Sequence, residues 1–384
     1  MQALVAIFWS CWGAIFYTYF LFPVLLALLA RIRGAAPPAP AGLLRDEELP
    51  RVALVVAAFN ERATMAAKIA NSLAIDYPSD RLEVLVGSDG SNDGTDEILR
   101  RVQDPRVRAF LFDERRGKIS VLNDLAARSG ADILVMSDAN TMIAPDAVRK
   151  LVRHFADPRV GCVSGELTLE QEGGASGEGL YWKYESWIKR SESRLGFLIG
   201  CNGGIYAVRR SLYVPLPRNT VVDDFVLCMR VLEQGFRVRF DPEARAFEPP
   251  CPSARAEMVR KIRIGAGGFQ AIGLTYRLLH PRFGAVSFAY WGHKVLRWCV
   301  PLMLLAAWAV NLPLSGVEPY RSLLLAQLGG AALAACAYHR RPGTALPRWT
   351  RPFSYFYLMN FALFLGLIRF LFRSQKVTWD RGRQ

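Results

Sequence analysis

The first thirty residues, Met1 to Ala30, carry no charged side chain. As helix, at about 1.5 Å per residue, they would span about 45 Å, more than the roughly 30 Å hydrocarbon core of a bilayer. A run of this kind restricts the chain to folds with at least one membrane helix. A cleaved signal sequence fits poorly, because no basic residue precedes the run and the run is too long. Arg31 and Arg33 follow at once, which places the downstream side in the cytoplasm. Pro37-Pro38-Ala39-Pro40 then reads as a short, stiff linker.

Three more charge-free runs lie near the other end: Trp298 to Val317, Ser322 to Tyr338 and Pro352 to Ile368. Each can span a bilayer when extended past its flanking arginines. They predict helices at about 297–317, 321–338 and 353–372, with Trp291, Trp298, Tyr338, Trp349, Tyr355 and Tyr357 as interface anchors. Two topology cues disagree here. Three full spans after a cytoplasmic domain put the tail outside, whereas Arg369, Arg373, Lys376, Arg381 and Arg383 prefer the inside. Either one segment lies in the interface or re-enters, or a span is missing.

Composition supports a mixed molecule. A chain that is 52% hydrophobic and still carries a net charge of +14 suggests membrane segments joined to a charged soluble part. The Arg and Lys gather beside the apolar runs, which fits anionic lipid and argues against a nucleic-acid partner. Seven Cys, with no Cys-x-x-Cys spacing, argue against a disulfide framework or a zinc site and for a reducing compartment. The four His are scattered, so a His-based metal site is not expected.

Between the membrane runs the pattern becomes alternating strand and helix. Strands are expected at Val52–Ala58, Leu82–Gly87, Val107–Leu111 and Ile133–Met136, with helices at Glu61–Ser72, Asp96–Arg101 and Ile119–Ala127. This order implies an α/β fold with a mostly parallel sheet and helices on both faces. In such sheets ligands bind beyond the carboxyl ends of the strands. Three acid-bearing loops fall there: Phe59-Asn60-Glu61, Asp89 and Asp138. Asp138 and Asn140, two residues apart, suit a hard cation such as Mg²⁺ that shares its shell with phosphate and water. The same pattern also serves as a turn and helix cap. Asp93 and Asp96 read as turn-closing and capping acids.

Four stretches occur together: Val55-Val56-Ala57-Ala58-Phe59-Asn60-Glu61, Ser88-Asp89-Gly90-Ser91-Asn92-Asp93-Gly94-Thr95, Ser137-Asp138-Ala139-Asn140 and Val222-Asp223-Asp224-Phe225. In order and spacing they resemble family 2 glycosyltransferases, inverting nucleotide-sugar enzymes with the GT-A fold. The resemblance covers about Arg51 to Gln270, and the flanking spans resemble the membrane-integrated branch of synthases and lipid glycosyltransferases. It implies that Ala57, Asn60 and Glu61 line the nucleotide pocket and that Asp89 accepts from the base N3–H, which favours uracil. It also implies that Lys118 lies near the nucleotide, that Asp138 and Asn140 hold Mg²⁺ or Mn²⁺, and that Asp224 is the base. Asn140 departs from the second Asp that many members carry, and a neutral amide binds a cation less strongly.

The second half supplies the acceptor chemistry. Inverting transfer needs a carboxylate within hydrogen-bond reach of the attacking hydroxyl. Asp224 is the choice and Asp223 the alternative. Two adjacent buried acids raise each other's pKa, while the same pair before an apolar helix is also an ordinary helix start. Val160–Ser164 reads as a strand, Glu170–Gly179 as a lid or a solvated loop, and Leu180–Arg194 as an amphipathic helix whose aromatic residues face core or membrane. Gly200-Cys201-Asn202-Gly203-Gly204 lets backbone approach a ligand closely. Arg260 and Arg263 share a helix face and would either neutralise a departing diphosphate or meet lipid headgroups. The Gln-x-x-Arg-Trp motif of processive synthases is missing from Arg260-Lys261-Ile262-Arg263-Ile264.

The expected layout is a membrane helix at 1–32, a cytoplasmic GT-A domain at 50–270 and interfacial and spanning helices at 271–384. The expected function is transfer of a sugar, UDP-linked by the Asp89 argument, to a lipid or glycan at the inner membrane. The alternatives are a processive polysaccharide synthase and a catalytically silent nucleotide-binding membrane protein.

Overall fold

The structure, a computed structural model, describes residues 1–32, 45–169, 177–250, 253–339, 347 and 350–375. The Pro37–Pro40 linker, the Glu170–Gly179 loop up to residue 176, Trp349 and the basic tail from Lys376 lie outside the described residues. The chain divides into two compact units. Of the described residues, an α/β unit takes those within Ala30–Glu172 and Lys189–Pro250, and a helical unit takes those within Met1–Leu29, Gly173–Ile188 and Cys251–Gln375.

The α/β unit is built on one eight-stranded sheet with strands β1 (Val52–Ala58), β2 (Leu82–Asp89), β3 (Val107–Phe112), β4 (Ile133–Asp138), β5 (Met142–Ile143), β6 (Val160–Leu169), β7 (Tyr206–Arg209) and β8 (Arg237–Glu248). Their order is β3-β2-β1-β4-β7-β6-β8-β5. Strands β1 to β4 pair in parallel, as the alternating pattern predicts, and β6 pairs in parallel with β8. The joints β4·β7, β6·β7 and β5·β8 are antiparallel, so the sheet is mixed beyond β4. Strand β1 is central and buried along nearly its whole length, which explains its unbroken apolar sequence. Strand β8 escapes the sequence reading because Arg, Asp and Glu interrupt its apolar residues.

The strand ends are aligned by register. Ala57 pairs with Asp138 on one side and with Gly87 on the other, and Asp89 ends β2 beside Phe112. This puts Ala57, Asp89 and Asp138 on one edge of the sheet. Helix α2 (Arg62–Leu73) buries Met65, Lys68, Ile69 and Ser72, a stripe at helical spacing. Helix α4 (Lys118–Arg128), which follows the short α3 (Thr95–Arg100), covers β1 and β2 through Val121, Leu122 and Leu125. After α5 (Ala147–Val152) and α6 (Gly177–Arg194), helix α7 (Asp223–Glu233) starts with its two acids and buries Phe225 to Met229. Acids in a first turn are favoured by the helix dipole.

Among the described residues four helices are long and apolar enough to cross a membrane: Gln2–Ile32 (α1), Ala285–Leu314 (α9), Tyr320–His339 (α10) and Thr350–Leu371 (α11). The second begins a dozen residues before the predicted 297, because His293, Lys294 and Arg297 are turned inward instead of ending the helix. Glu185 accepts from Arg297, lies 3.2 Å from His293 Nε2 and 3.7 Å from Lys294 Nζ, and all but Lys294 are buried. The aromatic stripe of α6 faces the helical unit: Tyr184 donates to the Tyr19 carbonyl at 2.8 Å, and the Tyr181 ring lies 5.5 Å from Tyr355.

Helix α8 (Ala254–Leu274) falls in this unit and not with the sheet, which differs from the boundary at 270 read from sequence. Small residues account for it. A Cβ on Gly366 would meet the Ala266 nitrogen at 2.7 Å, so α8 and α11 touch backbone to backbone, flanked by Met258, Ile262 and Ala362.

Candidate active site

The site grows from the aligned strand ends of the α/β unit. Ala57, Ala58, Phe59, Asp89, Arg115, Gly117, Lys118 and Asp138 line one cavity there. Asp89 is only 3% exposed, and its two oxygens accept the backbone N–H groups of Arg116 (2.7 Å) and Gly117 (2.8 Å). The acid therefore folds residues 115–117 over the crevice. Gly90 is needed at this turn: its φ is +69°, and a Cβ would meet the Arg115 nitrogen at 2.8 Å. The Arg115 guanidinium stacks 3.7 Å from the centre of the Phe59 ring, giving the cavity a flat aromatic and cationic wall.

Lys118 opens α4 and reaches across the crevice. Its Nζ lies 2.8 Å from Asp138 Oδ1 and 3.3 Å from either oxygen of Asp223. Burial alone would lower the lysine's pKa, but Asp138, Asp223 and Asp224 outweigh it and hold the ammonium charged. Asp224 stands next to Asp223, with Oδ1 accepting the Phe225 backbone N–H at 2.8 Å. Burial and the adjacent Asp223 carboxylate push its pKa up to about 6, against the pull of Lys118. Gly203 makes room for it, since a Cβ there would come within 3.0 Å of Asp224 Oδ2. The loop carrying Gly203 is held from inside: buried Asn202 donates to the Gly165 carbonyl and accepts from Lys189, and its backbone N–H donates to Ser164.

The structure thus brings Ala57, Asp89, Lys118, Asp138, Asp223 and Asp224 together within one unit. Asn60 and Glu61 adjoin them but knit loops. The Asn60 side chain accepts the Asn92 N–H at 2.9 Å, and the fully buried Glu61 accepts from Thr64 Oγ1 at 2.8 Å. Asp93 caps as expected, accepting from Thr95 and Arg62. Arg260 and Arg263 lie on α8 in the helical unit, where Arg260 forms a two-bond pair with Glu257 at 2.9 Å. Sequence reasoning missed the Phe59–Arg115 wall and the bridging position of Lys118. It also missed Lys68, although a lysine on the helix face that carries Met65 and Ile69 was a visible signal.

The residues present suit a divalent cation bound together with a diphosphate. Asp138 is half-buried at the strand end, with half-buried Asn140 two residues on. Among the described residues no cluster of three or more acidic, His or Cys side chains could hold a metal alone. A site with one carboxylate and one amide would therefore need phosphate and water to complete six-fold coordination, which is the habit of Mg²⁺. The Lys118 ammonium already stands in as a cation against Asp138.

Residues 53–214 match the family described as "Glycosyl transferase family 2". The chain is 24% identical over 234 residues to a poly-beta-1,6-N-acetyl-D-glucosamine synthase of Staphylococcus aureus, a match taking in 59% of this chain and 56% of that protein. The chain thus spans little more than half the length of that relative. It is 26% identical over 323 residues to a beta-monoglucosyldiacylglycerol synthase of Synechocystis, covering 80% of this chain and 67% of the relative. In fold it resembles a mannosyltransferase of Pyrobaculum calidifontis solved with GDP-Man and Mn²⁺, with a TM-score of 0.74, 23% identity and coverage of 96% and 98% of the two chains. Strand-end acids on a GT-A type sheet, in the segment the family model matches, lead to one conclusion: this chain carries a family 2 glycosyltransferase domain.

Proposed function

We propose that the protein is a membrane-embedded inverting glycosyltransferase that passes a sugar from a nucleotide-sugar to a lipid or glycan acceptor. The observation that carries this reading is the meeting of Asp138, Lys118 and the Asp223–Asp224 pair at one edge of the sheet. The nucleotide would occupy the cavity between Phe59, Asp89 and Arg115, with its diphosphate toward Asp138 and Lys118. Asp138 and Asn140 would hold Mg²⁺ or Mn²⁺, which neutralises charge on the leaving diphosphate. Around Lys118 three carboxylates face one ammonium, so a dianionic diphosphate needs added positive charge to approach.

Asp224 would take the proton of the acceptor hydroxyl as its oxygen attacks the anomeric carbon, and the bond to the diphosphate breaks on the opposite side. A carboxylate raised to about 6 is still mostly ionised at neutral pH and is a stronger base than an ordinary aspartate. Lys118 keeps the site's negative charge from driving the diphosphate out, and Asp223 orients Lys118. The four apolar helices would anchor the enzyme as a multi-pass protein of the inner membrane with the sheet on the cytoplasmic side, where nucleotide-sugars are made. Arg260 and Arg263 would face lipid headgroups or the outgoing diphosphate.

The lipid-glycan choice follows the two relatives, one named for a polysaccharide and one for a glycolipid. UDP-sugars are the first donors to test and GDP-sugars the second, since the structural neighbour was solved with GDP-Man. The full chain, purified in detergent, would be given a panel of nucleotide-sugars with Mn²⁺ or Mg²⁺ and acceptor lipid. Metal-dependent donor turnover that disappears in both Asp138→Ala and Asp224→Ala supports the proposal. Full turnover in both folded variants refutes the site. Product size with radiolabelled donor separates single transfer from a processive synthase.

A further inference from the structure

Beneath the proposed donor site lies a lysine that is not among the residues lining the cavity. Lys68, on α2, is fully buried. Its Nζ donates to Ser137 Oγ at 2.8 Å and to the Thr141 carbonyl at 2.6 Å. These two residues bracket Asp138-Ala139-Asn140, so one lysine side chain closes the turn that carries both candidate cation ligands. One helical turn further along α2, Asn71 grips Ile143 from both sides, donating to its carbonyl at 2.9 Å and accepting its N–H at 2.8 Å. Thr141 Oγ1 in turn donates to Glu248 at the end of β8.

A methionine would fill the space of Lys68 without the cost of burying an ammonium. What lysine adds is two directed hydrogen bonds under the turn; burial pushes its pKa down to about 7, against the pull of the Asp138 and Glu248 carboxylates. Groups behind a ligand-bearing turn fix how its ligands point, and their loss typically weakens metal affinity ten- to a hundredfold.

We propose that Lys68 is a positioning residue that sets the 137–141 turn, so that Asp138 and Asn140 present their oxygens to one divalent cation before it arrives with the diphosphate. This rests on the donor-site reading of Asp138 and Asn140 given above.

The test compares full-length wild type, Lys68→Met and Ser137→Ala in detergent by hydrogen exchange and by binding of UDP and of GDP at increasing Mn²⁺. In Lys68→Met the amides of 138–142 should exchange at least tenfold faster, with β1 and β2 unchanged. The Mn²⁺ concentration for half-maximal nucleotide binding should rise at least tenfold. Ser137→Ala, which removes one of the two acceptors and leaves the lysine in place, should shift both quantities the same way by a smaller factor. Unchanged exchange and an unchanged Mn²⁺ midpoint in folded Lys68→Met overturn the proposal, and Ser137→Ala decides in the same way if Lys68→Met does not fold. Faster exchange in a protein whose wild type binds neither nucleotide with Mn²⁺ would uphold Lys68 as the anchor of the turn and overturn the donor-site reading.

Discussion

Lys118 Nζ lies 2.8 Å from Asp138 Oδ1, joining the start of a helix to the end of a strand. The same ammonium reaches Asp223, 105 residues further along the chain. Replacing it with methionine leaves the carboxylates facing one another across the crevice. We expect Lys118→Met to weaken nucleotide-sugar binding at least tenfold, about 1.4 kcal/mol. Calorimetric titration with the donor and Mn²⁺ checks this, and thermal unfolding confirms that the variant remains folded.

The acid limb of the activity profile should belong to Asp224. Its pKa is up to about 6, first through burial and then through Asp223, so kcat/KM should rise through pH 5–7 and level off above. Asp223→Asn removes one of the charges that raise it, so the limb should move to lower pH. A limb that stays in place in that variant assigns the titration to another group.

Asp224→Asn keeps the shape of the side chain and loses the base. Transfer should fall by about 10²–10⁴ with donor binding changed only a few-fold, because general-base catalysis contributes on that order. Equilibrium binding of the donor beside initial rates of transfer separates the two effects.

Gly203→Ala tests the fit around the base. The added methyl would stand 3.0 Å from Asp224 Oδ2, closer than most such contacts, so the carboxylate must shift by some tenths of an ångström. A displacement of that kind should lower kcat about tenfold while the unfolding midpoint changes little.

Chelation probes the cation directly. EDTA should abolish donor turnover, and Mn²⁺ or Mg²⁺ should restore it in wild type but not in Asp138→Ala. Turnover that survives chelation would leave Lys118 and Arg115 as the diphosphate's partners.

Much of this was written in local pattern. Apolar runs that end in an acid placed Asp89 and Asp138 at strand ends, and the parallel half of the sheet followed from strand–helix alternation. The charge-free stretches lie largely within the four helices that are long and apolar enough to cross a membrane. What the chain could not disclose locally was pairing over distance. Nothing near Lys118 signals Asp223, and nothing near Phe59 signals Arg115. The inward turn of Arg297 toward Glu185 lengthened a helix whose start the charges seemed to fix, because flanking arginines are expected to leave an apolar segment, not to enter it. Strand β8 stayed hidden because its charged residues obscure the alternation that marks a half-buried strand.

The pairing of Ala57 with Asp138 also limits how this edge can vary over evolutionary time. Strand side chains alternate between faces, so one codon gained or lost within β4 would invert every residue beyond it and present Asp138 to the wrong side. The loops that follow the strands can lengthen to suit new acceptors, while the six residues of β4 must keep their number.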